Sequence, residues 1–306
     1  MNDKKILALF PGQGSQKVGM GQDLYENSNS AKAVFDAANQ ALDINLTELC
    51  FNGPEDELTL TANVQPAILT HSIACYRVAQ EKLGDKLNVL ATAGHSLGEY
   101  SALVAANVID FETATKLVNK RGKFMQAAVP VGSGKMLAVL KKEVPELEAA
   151  LTDIPDVQIA NINAPGQIVI SGSADGIDRF QAENEGLRMI PLPVSVPSHC
   201  KLMEPARAQL AAELDQLTFN VAELPVYSNF TATASTDPAT LKQALKDQIT
   251  GRVRWVESMQ QAIKDLGITT IIEFGPGNVL TGLMKRINKD IEKINIQTFA
   301  DLEQLG

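Results

Sequence analysis

The period of the apolar positions changes several times along this chain, and each change marks an element. Residues 5–10 form a short apolar run that ends at Pro11-Gly-Gln-Gly-Ser-Gln16, the pattern of a buried strand entering a loop. Helical spacing predicts helices at 30–42, 66–83, 96–106 and 111–128, with a second strand at 87–93. Strands alternating with helices imply a parallel sheet covered by helices. The rhythm differs over 135–194: strand 136–140, helix 144–151, strands 157–162 and 167–171 around Asn163-Ala-Pro-Gly166, helix 174–186 and strand 188–194. The order βαββαβ is the split ferredoxin-like unit, with prolines at 191, 193 and 197 at its exit. Alternation then resumes, with a helix after Pro205, a strand near 225–229 and helices at 238–249 and 253–266. Strand 268–274 runs into Gly275-Pro-Gly277 and a further helix. The expectation is an α/β fold: a large domain of residues 1–128 and 198–306, interrupted by a small domain at 129–197.

One junction in this pattern carries chemistry. The apolar run at 87–93 passes through Gly94-His-Ser-Leu-Gly98 into an alanine-rich helix. Strand, Gly-x-Ser-x-Gly turn and helix are the order of a nucleophile elbow, which lifts a serine hydroxyl above the sheet. The flanking glycines suit a turn in which strand and helix approach too closely for a Cβ. Ser96 is therefore the candidate nucleophile.

A serine nucleophile needs a base, usually histidine, and there are three. His95 is adjacent to Ser96, and neighbours at an elbow point in divergent directions. His71 falls within helix 66–83 and suits a structural role. His199, in Val196-Pro-Ser-His-Cys200, sits where the chain returns from the small domain, a usual address for a catalytic side chain. His199 is the candidate base. Cys200 is a rival nucleophile with poor geometry, because it adjoins that histidine.

Helix 111–128 aligns Ala114, Leu117, Val118, Phe124, Met125 and Ala128 on one face, and Arg121 falls on that face too. An inward guanidinium must be paired. It forms either a buried bridge to an Asp or Glu, or a fork that receives a substrate carboxylate in bidentate fashion. Gly122 beside it permits close approach of another backbone.

Composition narrows the class. With 306 residues, 45% apolar and 21% charged, the chain is an ordinary soluble globule of one large or two medium domains. It has no run of about 18 apolar residues, which argues against a membrane span. The first apolar run is too short for a signal-peptide core. Cys50, Cys75 and Cys200 lack metal-type spacing and cannot all pair internally, which fits a reducing cytoplasm. A net charge of −9 argues against nucleic acid. An acidic partner would need a local basic patch, for which Lys120-Arg121 with Lys123, Arg252 with Arg254, and Lys285-Arg286 with Lys289 are candidates. The glycine-rich segments Gly12-Gln-Gly14 and Val131-Gly-Ser-Gly-Lys135 match neither a dinucleotide fingerprint nor a phosphate loop.

Seven motifs together resemble those of the discrete bacterial malonyl-CoA:acyl carrier protein transacylases, nearly end to end. They are Phe10-Pro-Gly-Gln-Gly-Ser-Gln16, Gln65-Pro-Ala67, Gly94-His-Ser-Leu-Gly-Glu-Tyr-Ser-Ala102 and Arg121-Gly-Lys-Phe-Met-Gln126, followed by Asn163-Ala-Pro-Gly-Gln167, Pro191-Leu-Pro-Val-Ser-Val-Pro-Ser-His-Cys200 and Phe274-Gly-Pro-Gly277. The resemblance implies an α/β-hydrolase-like large domain with a ferredoxin-like insertion. It also implies ping-pong transfer of a malonyl group from malonyl-CoA to the phosphopantetheine thiol of an acyl carrier protein, in fatty acid biosynthesis, without metal or organic cofactor. By carry-over, Ser96 is acylated, His199 is the base and Arg121 pairs with the malonyl carboxylate. Gln13 and Leu97 supply oxyanion-hole N–H groups, and the backbone carbonyl of Gln248 orients the histidine. The carrier is an acidic protein, which gives the basic patches a possible use. Transfer of another extender acid in polyketide synthesis, thioester hydrolysis, and a catalytically silent binding domain are the alternatives.

Overall fold

The computed structural model describes residues 3–194 and 196–304. Ser195, inside the motif that leads to His199, lies outside them, as do the outermost two residues of each end of the expected large domain. The chain runs β1 (Ile6–Phe10), α1 (Gln22–Asn27), α2 (Asn29–Leu42), α3 (Leu46–Asn52), α4 (Glu55–Thr59), α5 (Thr61–Leu83), β2 (Val89–Gly94), α6 (Gly98–Ala105) and α7 (Phe111–Ala127). There follow β3 (Gly134–Leu140), α8 (Val144–Ala150), β4 (Val157–Ala164), β5 (Gln167–Ser173), α9 (Ala174–Glu183) and β6 (Arg188–Pro191). The remainder is α10 (Glu204–Gln216), β7 (Val226–Tyr227), β8 (Ala234–Ser235), α11 (Pro238–Gln248), α12 (Trp255–Leu266), β9 (Thr270–Phe274), α13 (Val279–Ile287), β10 (Glu292–Ile296) and α14 (Phe299–Glu303).

Two sheets result. The larger has the order β10-β9-β1-β2-β7-β8 and is parallel except at the β7–β8 pair. Every residue of β1 is buried, as a central strand covered on both faces requires. Alternate side chains enter opposite cores: Ile6, Ala8 and Phe10 pack with α2, α5 and α6, whereas Leu7 and Leu9 pack with α12 and α13. The smaller sheet, β4-β5-β3-β6, is antiparallel throughout. One of its faces packs Leu137 and Val139 against Leu147 of α8 and Phe180 of α9. The other turns Met136 and Val169 toward a cleft between the sheets.

The two sheets are joined by backbone hydrogen bonds. Val253 donates to the carbonyl of Ala160 at 2.7 Å and accepts from Ile162 N–H at 2.9 Å, so the strand-like approach to α12 adds to β4. Arg286 of α13 adds a second tie, donating to Gln167 Oε1 and to the carbonyl of Pro165 at the β4–β5 turn.

Two sequence expectations need revision. The helix expected from residue 66 begins at Thr61 and carries Pro66 in its second turn. A proline there strips the Ala62 carbonyl of its helical donor, and Asn119 Nδ2 of α7 takes that place at 2.8 Å. The strand expected over 188–194 ends at Pro191, because Pro191 and Pro193 lack ladder N–H groups. The short elements α1, α3, α4, β8, β10 and α14 carried too few periods to be read.

Candidate active site

The elbow is built by steric exclusion. A Cβ on Gly94 would stand 1.9 Å from the Gly98 carbonyl, and one on Gly98 would stand 2.0 Å from the Phe10 carbonyl oxygen. The start of helix α6 therefore approaches strands β2 and β1 this closely only because glycines stand at the contacts. Ser96 lies between them at φ 52°, a left-handed conformation that costs about 1 kcal/mol or more for a residue with a side chain. Asn229 holds it there: its Oδ1 accepts from Ser96 N–H at 2.6 Å, and its Nδ2 donates to the Gly94 carbonyl at 2.7 Å.

His199 reaches Ser96 from the loop before α10. Its Nε2 stands 2.7 Å from Ser96 Oγ, and its Nδ1 stands 2.9 Å from the carbonyl oxygen of Gln248. A carbonyl only accepts, so Nδ1 carries the proton and Nε2 presents a lone pair to the serine hydroxyl. Burial, then the nearby Arg121 charge, pulls the His199 pKa down to about 3. The imidazole is neutral at physiological pH and free to accept a proton.

Arg121 is buried in the same place. Its Nη1 donates to Gln65 Oε1 at 2.8 Å, its Nη2 is 3.2 Å from both Ser96 Oγ and Gln248 Oε1, and its guanidinium packs over the Tyr100 ring. The buried Asp or Glu bridge that sequence left open is absent: Arg121 makes no ion pair with a described residue, and its Nε has no partner. A buried cation surrounded by neutral acceptors and facing a cleft is arranged to receive an anion.

The nearest carboxylate is Glu99, one helical turn beyond Ser96 and wholly buried. Its Oε2 accepts from Asn229 N–H at 3.0 Å and from Gln248 Nε2 at 2.8 Å. Burial pushes its pKa up to about 7, against the pull of those donors and of Arg121. Glu99 and Asn229 were not singled out from sequence. Glu99 could have been, since it is the only charged residue in an otherwise apolar helix, the same signal that exposed Arg121. Asn229 follows a two-residue strand and leaves no periodic trace.

Gln13 and Leu97 line the cleft beside Ser96, and no described residue accepts from their backbone N–H groups. The cleft encloses about 260 Å³, near the low end for small-molecule sites, so it holds the reacting end of a larger ligand. Met136, Asn161, Asn163 and Val169 of the small sheet form its far wall. Its lip is Val279 and Leu280 of α13, whose first N–H groups at Leu280 and Thr281 are capped by the Glu273 carboxylate.

The remaining candidates stand apart from the Ser96–His199 pair, although His95 lines the same cleft. His95 turns its Nε2 to Asn163 Oδ1 at 2.8 Å and packs against Trp255. His71 Nε2 meets the Gln297 carbonyl. Cys200 is buried near Ser171, and burial raises the pKa of all three cysteines. Lys120, Arg252 and Arg254 are paired with Glu213, Glu148 and Glu257. Among the described residues no helix is long and apolar enough to cross a membrane, and no group of three or more His, Cys, Asp or Glu is placed to hold a metal ion.

Comparison with known proteins places this geometry in context. Residues 8–302 match the family model described as acyl transferase domain. The malonyl CoA-acyl carrier protein transacylase of Bacillus subtilis (strain 168) is 46% identical, covering 98% of this chain and 95% of that one. An acyl carrier protein S-malonyltransferase from Vibrio cholerae superposes with a TM-score of 0.93 at 44% identity, covering 99% of this chain and 100% of the other. A malonyl-transacylase solved in complex with a type II PKS acyl-carrier protein superposes with a TM-score of 0.93 at 40% identity, with 98% of each chain covered.

Proposed function

The chain belongs to the acyl transferase domain family, and from that premise we propose that it transfers the malonyl group of malonyl-CoA to the phosphopantetheine thiol of an acyl carrier protein, by way of a malonyl-Ser96 intermediate. The observation that carries this reading is the juxtaposition of a Ser–His pair at 2.7 Å with a buried arginine that makes no direct ion pair with a described residue. A short acyl group tipped by a carboxylate fits both ends of that arrangement. The relatives named as malonyl transferases support the choice of acyl group, and the carrier complex of one of them supports the acceptor.

In the first half-reaction Ser96 Oγ attacks the thioester carbonyl while its proton passes to His199 Nε2. The other ring proton stays on His199 Nδ1, hydrogen-bonded to the Gln248 carbonyl, which does the orienting that a carboxylate does in other triads. The tetrahedral oxyanion is received by the N–H groups of Gln13 and Leu97, near the positive end of α6. Collapse expels CoA sulfur, which leaves with the proton from His199. In the second half-reaction the carrier thiol gives its proton to the same nitrogen, attacks the acyl-serine carbonyl, and Ser96 leaves with that proton. Arg121 holds the distal carboxylate throughout. No step calls on a metal or organic cofactor.

The same reading makes residues 129–197 a ferredoxin-like insertion in an α/β-hydrolase-like domain formed by 1–128 and 198–306. The strand order β4-β5-β3-β6 supports it, being that of a split βαββαβ unit. Three buried, unpaired cysteines support a cytoplasmic setting.

Incubation with malonyl-CoA and no carrier should add one malonyl group that peptide mass mapping assigns to Ser96. Rapid release of free malonate, with no acylated protein, would instead indicate a hydrolase. Arg121→Ala should lose malonyl transfer by about 2–4 kcal/mol in transition-state terms and gain relative acetyl transfer. Unchanged preference between malonyl-CoA and acetyl-CoA would remove the role given to Arg121.

A further inference from the structure

Arg121 and Glu99 are separated by a single amide. Arg121 Nη2 faces Gln248 Oε1 at 3.2 Å, and Gln248 Nε2 donates to Glu99 Oε2 at 2.8 Å. An ionised carboxylate only accepts, so Glu99 fixes which way this amide points: nitrogen toward itself, oxygen toward the guanidinium. Both charged side chains are 1% exposed. The unliganded site is thus a neutral pair, one cation and one anion relayed through Gln248.

A malonyl carboxylate arriving at Arg121 leaves two anions against one cation among buried side chains, where charge is poorly screened. Building on the proposed role of Arg121, we propose that Glu99 takes up a proton when the acyl carboxylate docks, so that the site receives the anion and a proton together. The groups that face Glu99 leave it the natural acceptor. Arg121 from α7 is the only charge among them. Asn229 and Ser228 beside β7 and Gln248 from α11 are neutral, Tyr100 on its own helix is held un-ionised by burial, and His199 and His95 are held neutral. The carboxyl is already poised, because burial, acting against its hydrogen-bond donors and Arg121, brings it to about 7 in the free protein.

The sign follows. An added anion raises the Glu99 pKa in the complex, and the protonated form binds malonyl groups more tightly. That advantage is complete below about pH 7 and is lost as pH climbs through the raised value. For a shift of about one unit, malonyl-CoA affinity falls about tenfold across that window. Acetyl-CoA brings no carboxylate and has no such dependence.

The test uses Ser96→Ala, which binds without acylating, titrated calorimetrically with malonyl-CoA at about pH 7.5 in two buffers of different ionisation enthalpy. The expected result is uptake of roughly half a proton, none with acetyl-CoA, and none when Glu99→Gln is added. Glutamine keeps the shape and one acceptor oxygen for Asn229 and Gln248, so only the charge is removed, and its malonyl-CoA affinity should be flat with pH. Heats independent of buffer overturn the inference, as does uptake that survives Glu99→Gln, which would assign the proton to His199. If that double variant does not fold, the contrast between malonyl-CoA and acetyl-CoA in Ser96→Ala decides. Arg121→Ala in the same background keeps the two readings apart. Undiminished malonyl-CoA binding there overturns the role of Arg121, whereas weakened binding with no proton uptake in the parent overturns only that of Glu99.

Discussion

Ser96 and His199 share an uncommon backbone conformation, with φ of 52° and 61°. Each is held by its surroundings and not by its own preference: Asn229 clamps the first, and the Gln248 carbonyl draws in the ring of the second. The imidazole is correspondingly a poor cation. Its pKa falls to about 3 because burial, chiefly, and Arg121, secondarily, disfavour the charged form. The base form is therefore present throughout the neutral range, and any acid loss of activity between pH 5 and 7 must come from another group. Arg121→Ala should move the His199 titration upward without restoring the usual 6.5, since burial persists; NMR of labelled imidazole reads this directly. Titration of His199 near 6.5 in the unaltered protein would contradict it. The serine was legible from the elbow pattern, the histidine by elimination at a domain junction, and the arginine because it broke the apolar rule of its helix face. Asn229 breaks no such rule, and its role exists only once three distant segments are folded together.

Among elements, the seam between α5 and α7 places Arg121. Gly122 lies against the backbone of the first turn of α5, where an added Cβ would stand 2.4 Å from the Thr61 carbonyl oxygen and 2.6 Å from Ala62 Cα. Asn119, one turn earlier, donates to the carbonyl that Pro66 leaves without a helical partner. Gly122→Ala should therefore push the two helices apart, cost about 2–4 kcal/mol in denaturant unfolding, and lower activity through the displaced guanidinium. Gly282 on α13 has nothing within 4 Å of the same probe position, so Gly282→Ala should be neutral or stabilising by up to about 1 kcal/mol. Equal effects of the two substitutions would refute the packing argument. The longer helices and the central strands could be read from periodicity. The start of α5 could not, because a proline in the second turn looks like a beginning when its lost hydrogen bond is replaced from another helix.

For the whole molecule, the cleft owes its shape to ties between the two sheets. Val253 zips onto β4 through both of its backbone groups, and Arg286 fastens α13 to the β4–β5 turn. Arg286 is thereby committed to the protein itself and is a weak candidate for meeting a carrier. Its exposed neighbours Lys285 and Lys289 have no ion-pair partner among the described residues. The double substitution Lys285→Ala, Lys289→Ala should raise the KM for an acidic carrier several-fold at low salt, with the KM for malonyl-CoA unchanged and the difference erased at high salt. A salt-independent effect would place the docking surface elsewhere.

Cys50, Cys75 and Cys200 are all sealed from solvent, with thiols that resist ionisation. A transfer mixture of this protein with its two thioester partners thus contains reactive sulfur only on the small molecules and the acceptor arm. With no carrier present, a chromogenic disulfide reagent can then count the CoA liberated by acylation without silencing the catalyst, and enzyme treated with an alkylating agent and freed of the excess should turn over as before.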